Sequence, residues 1–517
     1  MFASILFNTP SGTQLRLNQQ PPEFFHDLNL DKIVESAAAG TAAADLRPYY
    51  YTPLTDPDCI RYRQQIMADL DNPNLCFLIR KFTAVLLVLD QKMDEIQQSL
   101  NDPLSGQNDP MTRCQCLHYA SQYCSALREL SEALPAHSLR SAGLTDFAKY
   151  VQDYLDSDSF CKLEADAKEL ENELNGVPCC MLIKDGTFRM RPYEGEADIN
   201  QQVTELFSRF RQKDAKALSF KSPSDRTEHY IDAQVLTMLS RWNKPLFAKL
   251  DSFIQHHLGF FDEVLRRFCR EVQFYLSWQA LISPLRDRSL PFCYPVLNSD
   301  RSHLSASDCF DLALALKLCW EEITPVTNSF SLDDPEQILV ITGPNQGGKT
   351  TFTRGIGQMF YLASLGCCVP GSAAQLYLCD TILTHFNREE DLATLSSKLQ
   401  DDLVRLREIL QKATSRSLIL VNEIFSSTTL EDALYLGRKM MEEIIQLGSL
   451  AICVTFLDEL AALDEHTVSM MSTVDPEDPG RRTYKIVRKS ADGLAYAEYL
   501  AKKYDLTYDA LNRRLSR

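Results

Sequence analysis

The chain of 517 residues is 45% hydrophobic and 24% charged, with a formal net charge of −17. That length exceeds what one hydrophobic core usually holds, and about two to four domains are expected. The acidity excludes nucleic-acid binding through the bulk surface, so any such contact must be made by a local basic face. No segment approaches the ~18 uncharged apolar residues of a membrane span. The run Ala84 to Leu89 is too short and is flanked by Arg80, Lys81 and Asp90, so no membrane partner is expected. The opening MFASILFNTPSG has no basic residue ahead of its apolar patch, which argues against a secretory signal and makes the cytoplasm the expected location. The 16 cysteines, some adjacent as in Cys179-Cys180 and Cys367-Cys368, suit free thiols in a reducing compartment.

Asp56-Pro57 is a helix cap followed by proline at the first helical position, and Ile60, Ile66, Met67 and Leu70 then recur at helical spacing. More helix is expected through residues 74–150. The cluster Cys114-x-Cys116-x-His118 falls in this stretch without a partner cluster and reads as structural rather than metal-binding. From Thr145 to about Asn175 the stripe Phe147, Val151, Leu155, Leu163, Ala167, Leu170 and Leu174 predicts one long helix ending before Gly176. Cys180 to Arg191 then alternates around Asp185-Gly186, which predicts a β-hairpin. Between Lys184 and Arg226 nine basic residues face seven acidic ones, a net of +2, as compatible with a solvated surface as with a DNA-binding face. Helical spacing returns over Val203–Phe210 and from about Tyr230 to Leu285, where Phe260, Phe261, Phe268, Phe274 and Trp278 suggest a packed bundle. An α/β part is expected from near Pro325.

Within it, QILVITGPNQGGKTT (Gln337 to Thr351) passes from an apolar β-branched run directly into Gly343-x-x-x-x-Gly348-Lys349-Thr350. Glycines let a backbone turn tightly and aim its N–H groups at phosphate oxygens, while the following helix points its positive end at the same anion. The candidate nucleotide-binding residues are therefore Gly343, Pro344, Asn345, Gln346, Gly347, Gly348, Lys349, Thr350 and Thr351. Lys349 supplies the charge for the β- and γ-phosphates, and Thr350 the hydroxyl that Mg²⁺ bound between them requires. Further on, the apolar strand Leu418-Ile419-Leu420-Val421 ends in Asn422-Glu423. A carboxylate at such a strand end can orient and polarise the water that attacks a γ-phosphate, which makes Glu423 the candidate general base and Lys349 its catalytic companion. Asn422 stands where aspartate is usual. Its amide keeps an oxygen but loses the charge that helps hold the Mg²⁺ shell, so Thr350 and Asn422 are expected to form a weak metal site.

GPNQGGKTT, followed by EEDLATLSSKLQDDL, LILVNEIFSSTTLEDAL and AICVTFLDELAAL, resembles the ATPase domain of the MutS family, which is of the ABC type. The resemblance implies that Gly343 to Thr351 is the Walker A loop, Ser397 the signature serine that reaches a partner's ATP, Glu423 the catalytic glutamate and Ser426 to Thr429 the D-loop. It implies ATP and Mg²⁺ as cofactors and a homodimer with ATP between its subunits. Upstream, DLNLDKIV (Asp27 to Val34) and YYTPLTDPDCIRYRQQIMADL (Tyr50 to Leu70) resemble the start of the family's lever domain. The hairpin at Cys179 to Tyr193 falls where the family keeps its DNA-gripping clamp, making Lys184, Arg189 and Arg191 the candidate DNA contacts.

The fold implied is a mostly α-helical lever and clamp core followed by an α/β P-loop domain of the ABC type. Its expected division is 1–150 for the N-terminal segment and first lever helices, 151–240 for the long helix, hairpin and short clamp, 241–324 for the returning lever helices and 325–517 for the ATPase domain. Departures from the family pattern point to slow hydrolysis: Asn422, Phe456 where a switch histidine is expected, and Leu395 where the signature has glycine. The mismatch-reading and connector domains and a C-terminal nuclease extension are expected to be absent, and Phe261 of Phe261-Asp262-Glu263 is expected to be core rather than a base wedge. The expected protein is an ATP-driven, weakly hydrolysing dimeric clamp on duplex or structured DNA, in mismatch repair, other DNA repair or recombination. A transporter's ATPase subunit or a cohesin-like protein fits less well, for want of an LSGGQ-type signature and a long heptad coil. A nucleotide-gated interaction scaffold, with little DNA binding or turnover, stays open on the acidity and on Asn422.

Overall fold

The structure is a computed structural model that describes the chain except residues 1, 9–15, 40–44, 102–108, 185–186, 196–224, 299, 387–397, 426, 476–480, 492–503, 505, 509–510 and 513–517. Its first helices are α1 (Leu30–Ala38), α2 (Arg47–Tyr51), α3 (Pro57–Asp69), α4 (Pro73–Asn101), α5 (Pro110–Ala133), α6 (Ala142–Leu155) and α7 (Asp158–Asn175). Local chemistry sets where two of them begin: the side chains of Asp56 and Asp109 each accept a backbone N–H at the cap, and each is followed by proline. The single helix expected from Thr145 to Asn175 is instead two. Ser157 takes an extended conformation and caps α7 by accepting from the N–H of Phe160. The apolar stripe keeps its phase across the break, so periodicity alone could not show it.

The expected hairpin is present as β1 (Cys179–Lys184) paired antiparallel with β2 (Thr187–Pro192). Its Asp185-Gly186 turn and the helix expected over Val203–Phe210 lie outside the described residues. Four helices occupy the stretch read as a bundle: α8 (Asp225–Trp242), α9 (Lys244–His257), α10 (Glu263–Glu271) and α11 (Gln273–Arg286). Among the described residues no single helix is long and apolar enough to cross a membrane.

The described chain forms two compact units. One comprises residues 77–138 and 146–269, with Met93, Ile96 and Cys116 buried together against Tyr119, Ile254 and Phe260. Burial pushes the thiols of Cys114 and Cys116 up to about 11, and His118 hydrogen-bonds to Gln122. Cys116 belongs to this apolar cluster, and among the described residues no group of three or more His, Cys, Asp and Glu is placed to hold a metal ion. Phe261 is buried beside Tyr123 and beneath the Arg266 guanidinium, which agrees with the expected core role.

The other unit comprises residues 2–76, 139–145 and 270–517. Its strands begin at β3 (Phe292–Cys293), β4 (Val296–Asn298) and β5 (His303–Cys309), well ahead of Pro325: β3 and β4 are too short to show alternation, and β5 has Leu304 as its one large apolar residue. After α12 (Leu312–Trp320) come β6 (Asn328–Asp333), β7 (Ile338–Thr342), α13 (Lys349–Ser364), β8 (Val369–Pro370), β9 (Ala373–Tyr377) and β10 (Ile382–His385). The remaining elements are α14 (Lys398–Lys412), β11 (Leu418–Asn422), α15 (Leu430–Leu447), β12 (Leu450–Val454), β13 (Thr467–Val474) and β14 (Arg482–Arg488). A four-stranded sheet runs β4-β9-β5-β6, and the main six-stranded sheet runs β10-β11-β12-β7-β13-β14, parallel except for β14. Every position of β7, β11 and β12 is buried, as a sheet covered on both faces requires. Each fully buried aliphatic side chain there contributes about 1.5–3 kcal/mol. The chain is thus mostly helical in its N-terminal part and α/β in its C-terminal part.

Candidate functional site

In the main sheet the strand leaving β7 crosses to one side, through β10, β11 and β12, before the chain returns to the other side at β13. The carboxyl ends of parallel strands at such a reversal form a crevice, and both candidate segments open into it. Gly343 leaves β7 with φ +113° and Gly348 enters α13 with φ +89°, left-handed conformations that favour glycine. Gly347 is constrained differently: a Cβ there would lie 2.2 Å from Ser472 Oγ, which donates to the Gly347 carbonyl at 2.7 Å. Gly347→Ala is therefore expected to overpack the floor of the loop at a cost of about 1–3 kcal/mol, lowering the thermal midpoint. An unchanged melting curve would mean that β13 yields freely.

Lys349 is buried at the start of α13, and its ammonium donates to the carbonyls of Gly343 at 2.8 Å and Pro344 at 3.1 Å. The Asn345 side-chain oxygen lies 3.5 Å away, and Gln346 turns the loop with φ +60°. Burial holds the ammonium below its usual pKa; Glu423 opposes the shift and Arg482 adds to it. Thr350 Oγ1 donates to Asn422 Oδ1 at 2.8 Å, tying the start of α13 to the end of β11. Glu423 follows with φ +54°, and its N–H donates to Val454 O at 2.9 Å. A non-glycine residue held in this region stores about 1–3 kcal/mol of strain, which the neighbouring strand must impose.

The loop residues Gln346 to Thr351 and Glu423 line one cleft of about 630 Å³. Its far wall is apolar, formed by Leu314, Leu318, Ile323, Pro325 and Val326, and Tyr484 of β14 stands on its rim. A lysine and loop N–H groups beside an apolar wall suit a ligand with an anionic end and a hydrophobic end. Asp311, also in the cleft wall, is bonded to Arg354 at 2.6 Å and Gln358 at 2.9 Å and caps α12. It supports the site rather than facing a ligand. Sequence reasoning missed the apolar wall, Ser472 and Tyr484. Leu314 and Leu318, four apart on the helix that precedes β6, were an available signal; Ser472 and Tyr484 gave none, being brought in by sheet pairing.

The expected metal position is made of a hydroxyl and a carboxamide; Thr350 donates its proton to Asn422, which leaves lone pairs on both oxygens. Mg²⁺ is usually held through carboxylates and phosphates in near-octahedral oxygen shells, and this pair offers it oxygen without negative charge, so the fit is weak. Ser397, Leu395 and Ser426 lie outside the described residues. Thr429 caps α15 by accepting from the N–H of Asp432. Phe456, just beyond β12, is half exposed.

In the hairpin, Leu182 pairs with Arg189, Lys184 with Thr187 and Cys180 with Arg191. Directly paired residues share a face of a ribbon, so positions 184, 189 and 191 fall together on one face. Arg191 also pairs with Glu194 at 3.1 Å.

Residues 339–500 match the family profile of MutS domain V, and residues 55–288 that of the MutS2 N-terminal domain, together well over half of the chain. A DNA mismatch repair protein MutS of Thermotoga maritima is 31% identical over 192 residues, covering 36% of this chain and 24% of that protein. An endonuclease MutS2 of Thermus thermophilus is 32% identical over 193 residues, 36% of this chain and 25% of that protein. A DNA mismatch repair protein MutS of Brevibacillus brevis is 37% identical over 142 residues, 27% and 16% of the two chains. The match thus spans about a quarter or less of the length of these relatives.

Proposed function

The chain belongs to the MutS family, and from that membership we propose that it is an ATP-binding homodimer that clamps duplex or structured DNA in repair or recombination and hydrolyses ATP slowly. The observation that carries this reading is the convergence of Lys349, Thr350 and Glu423 on one cleft with an apolar slot. It is the arrangement expected of an ABC-type P-loop ATPase. The base would lie against Leu314, Leu318 and Val326, and the phosphates over the loop N–H groups and the start of α13. Lys349 would exchange its carbonyl partners for β- and γ-phosphate oxygens, and Glu423 would take a proton from the attacking water. Ser397 would complete the second subunit's site. Titration of the full chain with a fluorescent ATP analogue, followed by pull-down on plain, mismatched and branched duplexes with and without ATP, tests the reading. Absence of nucleotide binding overturns it.

The DNA contact assigned to the hairpin carries its own expectation. Neutralising Lys184, Arg189 and Arg191 together should leave ATP binding unchanged, weaken DNA binding similarly across sequences and flatten its salt dependence by about one unit per lost phosphate contact. A triple variant with native affinity and salt slope would move the contact elsewhere. Asn422 favours a second reading, a nucleotide-gated scaffold. Native protein with no salt-sensitive DNA binding in any nucleotide state would select it.

A further inference from the structure

Resting on the nucleotide-binding reading above, we propose that the Thr350–Asn422 pair makes this a site that holds nucleoside triphosphate with little dependence on a divalent cation. Thr350, which lines the cleft, donates to Asn422 Oδ1 at 2.8 Å. That bond fixes the carboxamide with its oxygen engaged. Its Nδ2 has no hydrogen-bond acceptor among the described residues, so the amide can donate to an anionic oxygen, and unlike a carboxylate it carries no negative charge to hold a cation. A carboxylate at the same place would act in the opposite sense. Asn422 is only 7% exposed at the end of β11, where solvent screens a charge weakly. An aspartate there would repel a bare triphosphate, and a divalent cation would be needed to bridge the two; the amide removes both the repulsion and the need.

The other charges of the cleft agree. Its two carboxylates are Asp311, already bonded to Arg354 and Gln358, and Glu423. Lys349 and the amino end of α13 supply positive potential without a metal ion. A triphosphate entering this cleft meets one free-standing acid instead of the two that the family pattern would set there.

The test is the affinity of the full chain for a fluorescent ATP analogue, measured in excess Mg²⁺ and in excess EDTA. The native protein is expected to change its Kd by less than about threefold between the two conditions, whereas Asn422→Asp should lose at least about tenfold in EDTA and recover it in Mg²⁺. Native binding that falls tenfold or more in EDTA overturns the proposal, as does an Asn422→Asp variant, folded by its melting curve, with the native ratio. If that variant does not fold, the native ratio alone decides. Failure to bind in either condition is a different result, and overturns the nucleotide-binding reading itself.

Discussion

Lys349→Ala is expected to raise the Kd for ATP by about a hundredfold or more, the loss of two charge-assisted hydrogen bonds at about 1.5–3 kcal/mol each. Among the described residues Lys349 is the only basic side chain lining the cleft. The ammonium also joins the carbonyls of Gly343 and Pro344, and its removal unties the loop as well as removing the charge. Lys349→Met keeps the apolar stem and so separates lost packing from the loss of the ammonium. Both variants should melt within a few degrees of the native chain, and both should fail to bind a fluorescent ATP analogue. A folded variant of either kind with native affinity would refute the assignment of the loop.

Glu423→Gln acts on turnover instead. The amide keeps the shape, the left-handed backbone and the bond from the residue's N–H to Val454 O, but has no basic oxygen to accept the proton of water. Turnover is expected to fall by a factor of about 10² to 10⁴, with the Kd for ATP little changed. With hydrolysis blocked, ATP should also hold the dimer together, visible as an earlier eluting species in size-exclusion chromatography. Single-turnover hydrolysis at the native rate would place the general base elsewhere.

What could be read ahead of the structure was local. Gly343 to Thr351 is legible because tight turns, phosphate-facing N–H groups and a helix start are all encoded within nine consecutive residues. β11 is legible because a strand buried on both faces is a continuous apolar run, and the hairpin because Asp185-Gly186 interrupts an alternating pattern. The capped start at Asp56 depends on the same short range. The rest depends on distance along the chain. Ser472 reaches Gly347 across 125 residues through the pairing of β13 with β7, and Tyr484 reaches the cleft through the pairing of β14 with β13. The break at Ser157 was hidden for another reason: one serine stops a helix that seven in-phase apolar residues appeared to continue.

The contact between Ser472 and Gly347 also bears on how this loop can drift over generations. Adding a methyl group at 347 collides with Ser472 Oγ at 2.2 Å and, to a lesser degree, with Pro344 O at 2.9 Å. Only the first obstacle can be removed by changing a side chain. A Ser472→Gly background should therefore recover part, and not all, of what Gly347→Ala loses, giving a favourable coupling in a double-mutant cycle. A side chain at position 347 is tolerated better once position 472 has shrunk, which favours that order of the two substitutions.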